Sequence, residues 1–514
     1  MDATTEAPAN ALSDLDRCLQ LLRPGTPDES KFIGLTLMSD LLQVDQDPST
    51  IARFFDNMDF AFLDRMLQIE EDAVPKDAGV DAATIRSIAI DILTCFSSQG
   101  DLLIRKEFKD RVPAMLRLLS ASDTTDKSSK ILKMLIRIST YPQIAMVLTN
   151  PRYQSTIVSF ILSTFDRKDE SHKDAIMVCQ RTFLNIQEGY KQNADAVLQI
   201  TKEFLPIVMN QLSTAFCRLK ETHKAEILHL LSDCVAYLPE TYIQRHVKDY
   251  PSETKAWTKN LKSGLIQLLS TRQAPATRDD CFKLIGVLLQ RLGPSWLFPA
   301  PPSKKSTIKK PSPASLADSM ESLSLSDGEI DKKFASLVVH LTCVEVRVLM
   351  DELAEDISTG TPSTSQSADK ATSSTKVRRE QVLPFAYEIL EVSIGYLVRI
   401  SEDDGPEYGL FDATGLLKIQ ESLQSTFAAI LDYLRDLQTG AKPEALASNM
   451  IYLASLRILS VWLMEDDSLH GQASYIVPTL EAVVRYCKSK ASQKSLVRLL
   501  EPILERFYEL SLDE

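Results

Sequence analysis

The stretch "KKFASLVVHLTCVEVRVLMDE", residues 332–352, is apolar almost throughout and carries one carboxylate, Glu345, near its middle. Placed on a helix at about 100° per residue, Phe334, Leu337, Val338, Leu341, Val344 and Val348 share one face. Glu345 follows Phe334 by about three turns and points the same way. Val339, Val346 and Met350 make a second side apolar, leaving Ser336, His340, Cys343 and Arg347 as a narrow polar strip. Such a helix is buried on most sides. A strand competes for an apolar run of this kind, but the segment is too long for one. An unpaired buried carboxylate is very costly, so Glu345 must be paired or neutral, and a counter-ion would come from a neighbouring helix. Arg457, the single charge in the equally apolar "IYLASLRILSVWLM" (451–464), is the candidate; Arg399 and Arg347 are rivals. Arg347 is two residues away and faces elsewhere on the helix. A buried Glu345–Arg457 pair would fix helix register more than it would add stability. The functional alternative puts Glu345 and Arg347 on a concave surface that reads a partner peptide.

On either side of this stretch, nearly every segment reads as amphipathic helix broken by Pro or short polar turns. Helices are expected over 11–22, 29–44, 81–97, 126–139, 171–188, 193–213, 218–237, 253–270 and 277–292. Further on they are expected over 331–354, 378–400, 412–437, 444–464, 474–488 and 492–511. No alternating strand pattern competes. One small pattern recurs: "VPAMLRLLS" (112–120), "LPIVMNQLS" (205–213) and "VPTLEAVVR" (477–485), with looser copies at "LPFAYEIL" (383–390) and "EPILERFYEL" (501–510). Pro near a helix start fits its fixed φ and missing N–H, and it breaks whatever came before. Paired, Pro-punctuated helices at a period of about 40–47 residues mark armadillo and HEAT arrays. The expected fold is therefore all-α, an irregular armadillo/HEAT-like α-solenoid of helical hairpins with disordered inserts. An irregular all-α globule is the alternative.

Composition divides the chain. Residues 1–10 are polar and acidic and read as a disordered N-terminus. Residues 11–298 form an N-terminal helical-repeat block. Residues 299–330 are rich in Pro, Ser and Lys and read as a disordered linker. Residues 331–512 form a C-terminal block, itself carrying a low-complexity insert at 356–377. The last helix intersperses Lys494, Arg498, Glu501, Glu505, Arg506 and Glu509 among its apolar positions, as an end-capping repeat would.

The bulk numbers exclude several functions. Lys and Arg total 57 against 70 Asp and Glu, a net charge of −13, which disfavours nonspecific nucleic-acid binding. Gly is scarce, 16 in 514 residues, which argues against Gly-rich nucleotide loops. The N-terminus lacks the charged and apolar regions of a signal peptide, and no apolar run reads as membrane-spanning. The eight cysteines are scattered without a CxxC pair and sit within apolar helical runs, so they read as reduced core residues. A cytoplasmic location follows, with a nuclear pool allowed.

No phosphate loop, GxGxxG, HExxH or GxSxG is present, and His223 and His229 do not share a helix face as a zinc pair would. No catalytic, cofactor or metal residues are assigned. The run "KKSTIKKPSP" (304–313) supplies a candidate basic patch of Lys304, Lys305, Lys309 and Lys310; lysines that keep a linker soluble are the simpler reading. Ser312 precedes Pro313, and Ser324 and Ser326 each have an acidic residue three positions on, so these three are candidate phosphosites.

Four stretches resemble the neurochondrin family, in that family's order. They are "ESKFIGLTLMSDLLQ" (29–43) with "FFDNMDFAFLDRML" (54–67), "GPSWLFP" (293–299), "KFASLVVHLTCVEVRVLMDE" (333–352) and "SLRILSVWLMED" (455–466). The linker at 299–330 and the insert at 356–377 are longer than in animal members, which also continue beyond the point matching Glu514. The resemblance implies a cytosolic, all-α, non-enzymatic scaffold that binds signalling proteins, receptor tails or kinases; in animals the family is linked to neurite outgrowth. A nucleocytoplasmic transport adaptor of armadillo type is the alternative function. A peripheral membrane adaptor using the basic linker is another.

Overall fold

The computed structural model describes residues 9–44, 47–70, 80–121, 125–165, 170–299, 326–359, 368–402, 409–439 and 441–512. Every regular element among them is helical. The chain runs α1 (Ala9–Leu22), α2 (Asp28–Val44), α3 (Pro48–Asn57), α4 (Phe60–Gln68), α5 (Ala82–Phe96), α6 (Gly100–Leu103), α7 (Lys106–Lys109), α8 (Val112–Ala121), α9 (Thr125–Ser139), α10 (Pro142–Ala145), α11 (Pro151–Thr164), α12 (Ser171–Gln192) and α13 (Ala194–Ile200). It continues with α14 (Phe204–Arg218), α15 (Glu221–Tyr237), α16 (Glu240–Asp249), α17 (Pro251–Leu269), α18 (Pro275–Leu292), α19 (Asp327–Thr359), α20 (Ala368–Glu402), α21 (Ala413–Gln438), α22 (Pro443–Ala447), α23 (Met450–Trp462), α24 (His470–Ala473), α25 (Val477–Ser489) and α26 (Lys494–Leu512). By internal packing the chain forms two compact units, residues 1–215 with 233–257 and residues 216–232 with 258–514.

The first unit shows why the fold is an armadillo/HEAT-like solenoid. α4 packs on α5, α8 on α9 and α11 on α12, so each hairpin buries one face internally. The hairpins then stack in two rows: α4, α8 and α11 in one, and α2, α5, α9 and α12 in the other. α5, α9 and α12 start at residues 82, 125 and 171, intervals of 43 and 46 that fall within the repeat period of such arrays. Sequence periodicity does not reveal α3, α4 and α11, because each is short and set off by a cap rather than by a long apolar stripe. The Asp47 carboxylate accepts from the N–H groups of Ser49 and Thr50 to start α3, and Asp59 accepts from Ala61 and Phe62 to start α4. Phe55 lies edge-on to Phe60 at 4.8 Å and to Phe96 at 5.1 Å, tying α3, α4 and α5 together.

Asp59 also accepts a 2.6 Å hydrogen bond from the buried Lys31 ammonium. Burial raises the Asp59 pKa; the bond from Lys31, its charge, and the N–H groups of Phe62 and Ala61 outweigh burial and hold the pKa below its ordinary value. Stability from this group is present above its unfolded pKa, about 3.9, and is lost as pH falls through the lower folded value. Acid titration of unfolding free energy should therefore show Asp59→Asn losing less stability than wild type below about pH 4. Equal losses would contradict this role for Asp59.

In the second unit α18, α20, α23 and α26 form one row, α19 packs on α21, and α19 and α20 form a hairpin. The helices of this unit that precede the Ser-rich linker therefore pack with those that follow it, and the compact units do not divide at 299–330. Lys262 on α17 illustrates the link: its ammonium is 2.5 Å from Asp331 on α19 and 5.8 Å from the rings of both Trp296 and Phe334. Residues 300–325, which hold most of that linker, lie outside the described residues, as do 1–8 and 360–367.

Several boundaries differ from the sequence expectation. α19 starts at Asp327, because the Ser326 hydroxyl and backbone N–H both bond the Glu329 carboxylate in a capping box. Backbone helix extends through Thr359 and resumes at Ala368, covering parts of the low-complexity insert at 356–377. Pro384 and Pro502 lie inside α20 and α26 instead of starting helices. The expected 193–213 helix is broken at Thr201, where the side-chain hydroxyl turns back onto the Val197 carbonyl.

Among the described residues one unbroken helix, Val377–Ser401 within α20, is apolar and long enough to cross a bilayer by composition; the sequence reading found no such run. It packs on α18, α19 and α23, the surroundings of a core helix. The α18–α20 approach is close. A Cβ on Gly286 would meet Phe385 Cδ1 at 2.6 Å and its Cβ at 2.9 Å. Ala normally favours a helix interior over Gly by about 1 kcal/mol. Here Gly286→Ala should instead destabilise by about 1–3 kcal/mol through overpacking. Urea unfolding would check this, and a stabilised variant would contradict it.

Candidate functional site

Two features of the second unit concentrate chemistry. The first surrounds Glu345. α19 buries this residue to 2% exposure, and α18 and α20 supply its counter-ions. Arg378 Nη2 bonds Glu345 Oε1, and the same guanidinium holds Asp279 through Nε at 2.8 Å and Nη2 at 2.9 Å. Arg278 Nε lies 3.0 Å from Glu345 Oε2, an ion pair without hydrogen-bond alignment. Two cations and two anions thus form a neutral cluster joining α18, α19 and α20. The hydrogen bond to Asp279, opposed by burial and reinforced by Glu345, holds the Arg378 pKa above its ordinary value. Beside it, Arg379 Nη2 reaches Asp356 Oδ2 at 2.6 Å, a second tie across the α19–α20 hairpin.

The expectation of a buried Glu345–Arg457 pair is corrected in its partner. α23 packs on α20, so Arg457 meets Glu391 of α20 at 2.6 Å and stays about half exposed. The rivals do not serve either. Arg347 donates to the Cys343 carbonyl and Arg399 to the Gly395 carbonyl. The expected faces of α19 also change. Cys343 is fully buried, because α21 covers it and Thr426 reaches its carbonyl, whereas Val348 is 42% exposed. With Glu345 enclosed, the alternative in which it reads a peptide on an open surface is excluded.

The second feature is a groove of about 510 Å³ between α20 and α21. Ile394, Leu397, Val398, Ile400 and Ser401 line it from α20, and Ala413, Leu416, Leu417 and Gln420 from α21. Ile400 apart, both sets follow the i, i+3, i+4, i+7 spacing by which a helix buries one stripe. Leu417 nevertheless remains 58% exposed. Trp462, at the end of α23, forms part of the wall; it is buried and stacked on Phe427, with ring centroids 4.9 Å apart and planes within 7°. Glu465 and Asp466 line the groove beside it. Met464, next in sequence, is 56% exposed. Sequence reasoning missed this groove: each stripe reads as an ordinary buried face, and nothing in its spacing says that the space opposite is empty.

The other sequence-derived candidates fare differently. Lys304, Lys305, Lys309, Lys310, Ser312 and Ser324 lie outside the described residues. Ser326 is exposed and caps α19 as described above. All eight cysteines are free thiols, and burial pushes Cys18 and Cys179 up to about 12 and Cys343 up to about 11. Among the described residues no group of three or more His, Cys, Asp or Glu is placed to hold a metal ion.

Comparison with known proteins bears on the whole chain. A family model described as Neurochondrin matches residues 10–504. Chicken neurochondrin is 23% identical over 486 residues, covering 92% of this chain and 57% of its own length. Human neurochondrin is 24% identical over 488 residues, covering 92% of this chain and 54% of its own. A Drosophila melanogaster neurochondrin homolog is 20% identical over 476 residues, with coverages of 89% and 54%. The chain spans about half the length of these curated relatives.

Proposed function

The chain belongs to the neurochondrin family, and from that membership we propose that it is a non-enzymatic scaffold whose helical repeats bind signalling proteins in the cytoplasm. The observation that carries this reading is the groove between α20 and α21. It presents two facing apolar stripes that no described element fills, with Leu417 left 58% exposed. Apolar side chains aligned on a rigid helical scaffold, with a polar end, are the usual make-up of a protein-docking surface. The ion cluster that ties α18, α19 and α20 together serves this role indirectly by fixing α20, one wall of the groove.

The test compares proteins captured from native cytosol by the wild-type chain and by Leu397→Gln/Leu417→Gln, two substitutions at positions that are not buried. A discrete set retained by wild type and lost by the variant, with unchanged helical circular dichroism, is expected. An identical set for both would place binding elsewhere. No protein above a bead control would contradict the scaffold reading.

A further inference from the structure

We propose that the groove between α20 and α21 seats one amphipathic helix of a partner protein, with an apolar stripe and a lysine or arginine facing Glu465 and Asp466. This rests on the docking reading above and names the chemistry of the occupant. The two walls argue for a helix. Each presents an i, i+3, i+4, i+7 stripe about 10 Å long, the same pattern by which helices of this fold bury against one another. A third helix laid between them would complete the packing that α20 and α21 leave open.

Charge decides the sign of the occupant. The residues lining the groove include two carboxylates and no cation. Asp466 is held near the α21 wall, its Oδ2 accepting from Gln420 Nε2 at 3.4 Å. Glu465 is exposed beside it. A cationic helix end is attracted to such a rim, and an acidic peptide or an anionic lipid surface is repelled.

The proposal is tested by fluorescence anisotropy on the full chain. The probes are a labelled Leu–Lys amphipathic helix of about 14 residues, roughly four turns, and its Leu–Glu counterpart. Wild type should bind the Leu–Lys probe at least about tenfold more tightly than the Leu–Glu probe. Leu397→Gln/Leu417→Gln should weaken the Leu–Lys probe by about tenfold, and Glu465→Lys should shrink the preference by a similar factor. If the double variant binds the Leu–Lys probe like wild type, the groove is not the docking surface and both readings fall. If the double variant loses binding while Glu465→Lys leaves the preference unchanged, the groove stands and the basic-helix proposal is overturned. Sedimentation with anionic phosphatidylserine vesicles, retained by wild type and lost by the double variant, would make the occupant a lipid surface and also overturn it.

Discussion

Glu345→Ala is expected to cost about 3–5 kcal/mol of stability, because it removes the buried carboxylate that two partly buried arginines, Arg378 and Arg278, are paired with. Glu345 is enclosed by α18, α19 and α20, and both of its oxygens face guanidinium groups, those of Arg378 and Arg278. Once the carboxylate is gone, Asp279 alone must balance both arginines. Glu345→Gln keeps the volume and part of the hydrogen bonding, so its loss should be smaller. Replacing the charges together, as Glu345→Leu with Arg378→Met, should recover part of the loss, since such pairs fix geometry more than they stabilise. Urea unfolding of the full chain reads all three variants. An unchanged midpoint in Glu345→Ala would mean that the cluster contributes nothing.

Phe427→Ala should cost a similar amount, about 3–5 kcal/mol, for a different reason. Phe427 is fully buried in α21, and its ring is the platform on which Trp462 stacks. Truncation opens a cavity behind the indole and frees it to move. The loss should therefore appear twice, as a lower urea midpoint and as weaker binding of the Leu–Lys probe. Phe427→Leu, which fills more of the space, should retain most of both. A variant that kept its midpoint would show that the stack is not part of the core. One that lost stability yet bound the probe normally would detach Trp462 from the groove.

How much of this was legible in the sequence differs from residue to residue. The apolar wrap of 332–352 announces a buried helix in which Glu345 must be paired or neutral; the residue is buried, and it is paired. The counter-ion itself was not readable. Arg378 borders a polar low-complexity insert and looks like the start of a surface helix, whereas Arg457 looks buried because its neighbours are apolar. Which row a helix joins decides between them. That depends on how hairpins stack, a relation between residues about a hundred positions apart, as Arg378 and Asp279 are. The Pro-punctuated pattern pointed to repeats, yet Pro384 and Pro502 sit within helices, so Pro marks a break only where packing does not carry the helix through it. The groove is legible in neither stripe alone, because Leu416 and Leu417 have the spacing of residues that face a core.

Photo-crosslinking from position 417 asks whether a partner helix sits in the groove. A photoreactive side chain is placed there, and in a control at Lys173, an exposed residue of the first unit that pairs with Glu170. Docking of a partner helix in the groove predicts one discrete adduct from 417 and none from 173, with the crosslinked peptide apolar on one face and carrying lysine or arginine. No adduct from 417, or the same adducts from both positions, would contradict it.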